Sequence, residues 1–261
     1  MQELQKIKQL CSLHDKFKTI ENDSEAQVTV PDQHYLIVRL DGIGLSKKYL
    51  KNQLVTKLFQ KTMLKAIKDT YYVLHRKTPT NAQQIFLGVI VASDEVSFIL
   101  NTYSNYYDDR LFKIATTIAS TFSCFFTKEG LQQNSEHSIY GSFDGRPLIL
   151  SNIDEVKEYI AYRSAIYNRN SIAKALRLKG VSEEELYNEI NHNNIDYYQE
   201  KCEQLNININ GINKDCIYLS PLITDDGKLK KYNHKSFERF TELTSNSIDS
   251  FEKWLHETNV T

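Results

Sequence analysis

Asp41, Asp94 and Glu95 stand against apolar runs rather than within polar stretches. Asp41 closes the β-branched run Tyr35–Leu40, and Asp94-Glu95 falls between Ile85–Val91 and Val96–Leu100. Carboxylates beside buried strands are costly unless something positive pairs with them. Two metal ions about 3.5–4 Å apart can stabilise both the attacking and the leaving oxygen of a phosphoryl transfer. Magnesium favours carboxylate oxygen and keeps several waters. Asp41 and Asp94 as bridging ligands, with the Gly42 carbonyl, would therefore suffice for two Mg²⁺ ions, and Glu95 is a third acidic group. Singly, Asp41-Gly42 reads equally as a turn and Asp94-Glu95 as a polar hairpin tip. Their joint placement is what points to phosphoryl chemistry.

Groups that would hold phosphate lie nearby. Gly42-Ile43-Gly44-Leu45-Ser46 follows a strand and opens a helix, so its backbone N–H groups can face a triphosphate. Lys47, Lys48 and Lys51 come next, although lysines on such a helix are mostly solvated. Arg110 and Lys113, three apart on an expected helix, share a face. Arg163, Arg169, Lys174, Arg177 and Lys179 form a basic helix that would track an RNA backbone. A solvated helix face accounts for that last pattern equally well. The seven histidines are scattered, with no pair at metal-ligand spacing.

The elements that must position these residues follow from periodicity. Leu4, Ile7, Leu10 and Leu13 mark an amphipathic helix over residues 1–20. Strands are expected at Tyr35–Leu40, Ile85–Val91, Val96–Leu100 and from Phe143 to Leu150, with helices over 46–77 and 108–127. The order strand–helix–strand–strand–helix–strand is that of a ferredoxin-like split βαβ fold, the order of a polymerase palm. In it the first and third strands are neighbours, which brings Asp94 to the end of the first strand. The fold class is thus α+β, a palm-like antiparallel sheet with packed helices and a mostly helical C-terminal part. Residues 1–150 would form the catalytic domain and 151–261 a helical, RNA-contacting part of the same unit. There, a helix over 154–180 starts from an Asp154 cap, and Ser182 with Glu185 forms a capping box. Phe237, Phe240, Leu243 and Phe251 have helical spacing in the tail.

Bulk properties set limits. The 261 residues are 41% hydrophobic and 25% charged, with a net charge of −1. That is enough to bury a core, and it excludes a polyanion-coating protein without excluding a local RNA-binding face. Cys11, Cys124, Cys202 and Cys216 form no Cys-x-x-Cys pair, so neither a zinc signature nor a disulfide framework is present. No leader and no long apolar run is visible. The expectation is a reduced, soluble, cytoplasmic protein that engages no membrane.

Arg39-Leu40-Asp41-Gly42, Ser93-Asp94-Glu95-Val96-Ser97-Phe98 and Phe143-Asp144-Gly145-Arg146, in this order, resemble the tRNA(His) guanylyltransferase family, including its reverse polymerases. The resemblance covers roughly residues 35–180. It extends to an aromatic–Arg pair and a downstream Asn, here Tyr162, Arg163 and Asn170. It implies a palm that runs the polymerase reaction backwards. The 5′ end of an RNA, usually a tRNA, is activated by ATP or carries a triphosphate. The 3′-hydroxyl of an incoming GTP or other nucleotide then attacks it. The resemblance also implies that Asp41, Asp94 and Gly42 hold metal, that Ile43, Gly44, Leu45 and Ser46 give backbone contacts to triphosphate, and that Ser93 and Asn170 belong to nucleotide sites. Arg110 and Lys113 match triphosphate-binding bases, and a homotetramer is implied. Ile43 and Leu45 replace residues common in the family, and its Lys-Pro is missing, with Lys51 or Lys57 able to substitute. Asn168 replaces a histidine of the tRNA(His)-specific enzymes. These departures favour repair of truncated tRNA 5′ ends over strict tRNA(His) guanylylation. A palm making a small signalling dinucleotide and a non-enzymatic RNA-binding protein are the alternatives.

Overall fold

The computed structural model of the chain describes residues 28–50, 53–75, 86–100, 106–132, 138–191, 194–209, 217–221 and 237–240, together with Lys16, Thr19, Ile20 and Asp23. Leu4, Ile7, Leu10 and Leu13, on which the N-terminal helix was expected, lie outside the described residues. The elements run β1 (Tyr35–Gly42), α1 (Leu45–Tyr49), α2 (Gln53–His75), β2 (Phe86–Ala92), β3 (Glu95–Leu100), a short 3₁₀ turn (Tyr106–Asp109), α3 (Leu111–Gln132) and β4 (Phe143–Leu150). They continue with α4 (Ile153–Leu178), α5 (Glu183–Tyr187), α6 (Ile195–Gln204), β5 (Ile217–Pro221) and β6 (Phe237–Phe240).

The strands form one antiparallel sheet in the order β4-β1-β3-β2-β5-β6. Its first four strands have the split βαβ arrangement expected from the sequence. β1 is apolar on both sides because both faces are covered. Leu36, Val38 and Leu40 pack with Val96, Phe98 and Leu100 against α2 and α3. Ile37, Ile90 and Ile99 face Val156, Tyr159 and Ile160 of α4. Along α3, Leu111, Ile114, Ala115, Ile118, Phe122 and Phe126 are buried at helical spacing, as a helix lying on a sheet requires. Phe122 and Phe126 meet Phe143 edge-on at 4.8 and 5.0 Å between ring centroids, the arrangement favoured by the ring quadrupoles.

α4 starts two residues earlier than an Asp154 cap would place it. The cap is Asn152, whose side chain accepts the Glu155 N–H at 2.9 Å, while Glu155 accepts the Ser151 N–H at 2.6 Å. Asp154 instead lies in the first turn, where its charge suits the helix dipole. The Ser182 cap is as expected, taking the Glu185 N–H at 3.1 Å. The Glu185 carboxylate does not reach back; it accepts from the Tyr197 hydroxyl at 2.7 Å and pairs with Lys201. Past the sheet, Ala173 and Leu176 of α4 pack with Leu186, Tyr198 and Cys202 in a separate small core.

Two elements depart from the sequence reading. β5 pairs with β2 and carries β6 on its far side, so the C-terminal part also extends the sheet. Phe237–Phe240, read as helical, is strand β6, because pairing with β5 overrides the i, i+3 spacing of two phenylalanines. Among the described residues no helix is long and apolar enough to cross a membrane.

Candidate active site

β1 lies between β3 and β4, and its register fixes the site. Asp41 is opposite Glu95 on one side and Asp144 on the other. Directly opposed residues of an antiparallel pair point to the same face. Three carboxylates therefore share one row, on the face covered by α4. The next row is Arg39 with Ser97 and Arg146, and the one beyond is Ile37 with Ile99 and Leu148. The face thus passes from acidic, through basic and polar, to the apolar contact with α4.

Asp94 enters from outside the ladder. Ser93 and Asp94 form the two-residue turn between β2 and β3, with Ser93 at φ 60°. The Asp94 carbonyl accepts the Gly42 N–H at 3.1 Å, and its carboxylate accepts the Ser46 N–H at 3.0 Å. Two bonds thus staple the β2–β3 turn to the end of β1 and to the segment that follows it. Asp94 is only 9% exposed. Burial pushes its carboxyl above the usual carboxylate range, and the charge of Asp41 pushes the same way. Hydrogen bonds from its own N–H, from Ser46 N–H and from the Ser93 hydroxyl pull it back.

The four carboxylates divide into two kinds. Glu95 is ion-paired with Arg163 of α4, which is 8% exposed. Asp144 accepts from Arg146 through Nη2 at 3.1 Å and Nε at 3.3 Å, while its buried Oδ1 has no hydrogen-bond partner among the described residues. Among the described residues, Asp41 and Asp94 have no cationic partner. Adjacent carboxylates with no counter-charge among the described residues, one of them buried with a raised pKa, fit a site for divalent cations. Among the described residues no three His, Cys, Asp or Glu side chains gather as a complete metal cage. An ion held here would complete its shell with the Gly42 carbonyl, water and substrate oxygens, as magnesium commonly does.

The loop from Gly42 to Ser46 turns on two glycines. A Cβ at Gly42 would stand 2.9 Å from the Leu45 side chain. Gly44 caps α1 at φ 68°, with open space where a Cβ would be. Ile43 N–H is engaged by the Ser142 carbonyl at 3.0 Å and Ser46 N–H by Asp94. Gly44 and Leu45 are then the loop residues with N–H groups not engaged among the described residues. The Leu45 side chain is buried, and that of Ile43 is exposed.

The expected basic residues are placed differently from one another. Arg163 does not share a solvated face with Arg169 and Lys174, because the charge of Glu95 draws it against the sheet. Arg169 donates to the Asn170 side chain at 3.1 Å, and Lys174 donates to the Leu50 carbonyl at 3.1 Å, joining α4 to the end of α1. Arg110 precedes α3 rather than lying on it. It bridges Thr29, and its Nε donates to the Tyr107 carbonyl at 3.2 Å. Tyr107, Asp108 and Asp109 just before it are all left-handed, at φ 53°, 55° and 56°, at a cost of roughly 1–2 kcal/mol each. The Val30 N–H to Asp109 carbonyl and Leu111 N–H to Val28 carbonyl bonds hold them there. Lys113 is exposed in the first turn of α3, and Lys51 lies outside the described residues. Sequence reasoning missed Asp144, although its motif was noticed. The alternation of β4 against β1 was the available signal.

A palm-like α+β fold with a carboxylate pair at the end of its central strand defines a broad class. Within it, a model of the tRNAHis guanylyltransferase (Thg1) family matches residues 14–151, more than half of the chain. The chain belongs to that family. It is 23% identical over 167 residues to a tRNA(His) guanylyltransferase of Neurospora crassa, covering 61% of this chain and 53% of that protein. It is 26% identical over 143 residues to a probable tRNA(His) guanylyltransferase of Dictyostelium discoideum, covering 53% of this chain and 52% of that one. The chain spans about half the length of the curated relatives it matches. Its fold is similar to a bacterial tRNA(His) guanylyltransferase (Thg1)-like protein solved in complex with ATP, with TM-score 0.66 and 19% identity over 93% of this chain and 98% of that one. The corresponding GTP complex gives 0.60 and 20% over 96% and 100%. The enzyme of Saccharomyces cerevisiae gives 0.55 and 21% over 85% and 94%.

Proposed function

We propose that this chain is a nucleotidyltransferase that extends the 5′ end of tRNA in the 3′–5′ direction, and that end repair is its main task. The observation that carries the reading is the division of charge at the end of β1. Two arginines take Glu95 and Asp144, while Asp41 and Asp94 have no cationic partner among the described residues. Family membership and relatives bearing the name tRNA(His) guanylyltransferase support the substrate class. Similarity to a fold solved with ATP and with GTP supports these nucleotides as substrates.

In this reading Asp41, Asp94 and the Gly42 carbonyl hold two Mg²⁺ ions, which would offset the negative charge that builds on phosphoryl oxygens. The chain's own groups do the rest. The bonds from Gly42 and Ser46 to Asp94 hold its carboxylate beside Asp41. Gly44 and Leu45 offer N–H groups to a triphosphate. Arg110, Lys113 and a lysine such as Lys51 carry its charge, Ser93 and Asn170 line nucleotide sites, and Arg169 and Lys174 face the RNA. In the joining step the 3′-hydroxyl of the incoming nucleotide attacks the activated 5′ phosphorus. The bond to the 5′-activating group breaks, and AMP or pyrophosphate leaves. The incoming nucleotide keeps its own triphosphate. A cytoplasmic homotetramer completes the proposal.

The test is incubation with Mg²⁺, ATP and labelled GTP of a 5′-truncated tRNA beside tRNA(His), with Asp94→Ala as control. Transfer to the truncated tRNA that the variant loses supports end repair. Transfer to tRNA(His) alone would replace repair with guanylylation, and label in a small soluble product would replace RNA as the substrate.

A further inference from the structure

We infer that Arg163 is a positioning residue that holds Glu95 out of the cation site, so that Asp41 and Asp94 alone set its charge. The inference rests on the reading of those two aspartates as cation ligands. It comes from the fit between α4 and β3. Glu95 and Ser97 are two apart on β3 and so share a face. Tyr159 and Arg163 are four apart on α4 and so share a face there. The two pairs meet as two rungs. Ser97 Oγ and the Tyr159 hydroxyl are 2.8 Å apart in a fully buried contact, and Arg163 is ion-paired with Glu95 beside them. The Tyr159 rung fixes the height of α4 on the strand, which places Arg163 level with the carboxylate row.

That row needs such a device. Asp41 faces a carboxylate on each side, and like charges directly opposed are destabilising. Arg146 pairs with Asp144 from within β4 itself, through one carboxylate oxygen. The other cross-strand neighbour of Glu95 is Ala92, which offers no charge, so its counter-charge comes from the helix. Released from Arg163, Glu95 stands next to Asp41 and becomes a third anionic ligand. Cation affinity rises with ligand charge, but an ion drawn toward Glu95 is displaced from the position the reaction needs.

The experiment measures Mn²⁺ binding to the full chain from the electron paramagnetic resonance signal of free Mn²⁺, beside steady-state kinetics. Arg163→Met is expected to bind Mn²⁺ about tenfold more tightly than the unaltered chain. Its kcat should fall about 10²-fold, with KM for the nucleotide little changed. Adding Glu95→Gln to Arg163→Met should return Mn²⁺ affinity to the starting value, and Arg163→Lys should recover part of kcat. Should Arg163→Met not fold, Arg163→Gln carries the same expectations. Unchanged or weaker Mn²⁺ binding in the folded Arg163 variant overturns the inference. Asp41→Asn and Asp94→Asn, measured alongside, separate the two levels. If neither weakens Mn²⁺ binding, the cation-site reading itself fails.

Discussion

At the scale of single residues, Asp94 shows how the catalytic role proposed for it would conflict with stability. Its folded-state pKa lies above the ordinary range because of burial and of Asp41. A carboxyl that binds its proton more tightly when folded contributes stability below the unfolded pKa and loses it as pH rises through the folded one. Metal-free protein should therefore lose stability as pH climbs from about 4, and Asp94→Asn should flatten that loss. Thermal melts across pH would show it; parallel profiles for the two proteins would mean that Asp94 is not strained. Asn keeps an oxygen for the Ser46 N–H, so the variant should fold while its transfer rate drops by about 10²-fold or more, ~3 kcal/mol of barrier. Ser93 gives a second prediction. At φ 60°, Ser93→Gly should leave stability within about 1 kcal/mol of the original, whereas a β-branched Ser93→Val should cost about 1–3 kcal/mol. Denaturant titration decides between turn geometry and side-chain chemistry as the reason for this residue.

At the scale of elements, helix ends and strand registers decide where side chains meet. Asn152→Ala should cost about 1 kcal/mol through loss of the α4 cap, and Asp154→Ala only a few tenths through the dipole. Equal costs in urea titrations would restore Asp154 as the cap. This pair also shows what was legible beforehand. The run of carboxylate-tipped strands gave the sheet, the pairing of β1 with β3 and the proximity of Asp41, Asp94 and Glu95, because period and turn length are local properties. The partners of those carboxylates were not legible. Arg163 looked like a member of a basic helix face, and only the packing of α4 on the sheet turns it toward Glu95. Asp144 was hidden for the same reason, since its place opposite Asp41 depends on a register between strands about a hundred residues apart. Phe237–Phe240 misled because two phenylalanines three apart satisfy a helical period, while a four-residue strand leaves too little sequence to show alternation.

At the scale of the whole molecule, the C-terminal strands protect the sheet. β5 covers β2, the edge that the four-stranded core would otherwise leave open. Exposed edges pair with other chains. A chain ending at Asp215 should therefore keep its palm core, yet self-associate in size-exclusion chromatography; a stable monomeric profile would show that β5 is dispensable. On the opposite face, α4 links the sheet to the small core around Tyr198 and Cys202, so the RNA contacts proposed at Arg169 and Lys174 would be carried on the helix that also holds Glu95. In that proposal binding and chemistry would share one helix.

In 3′–5′ addition the incoming nucleotide keeps its triphosphate, whereas conventional elongation expels it as pyrophosphate. The deciding measurement is incorporation of γ-labelled GTP into a 5′-truncated tRNA by the intact chain, with Asp41→Asn and Asp94→Asn beside it. The account predicts γ-label in the RNA, lost in both variants. RNA labelled from α-labelled but never from γ-labelled GTP, or label that persists in both variants, would contradict it.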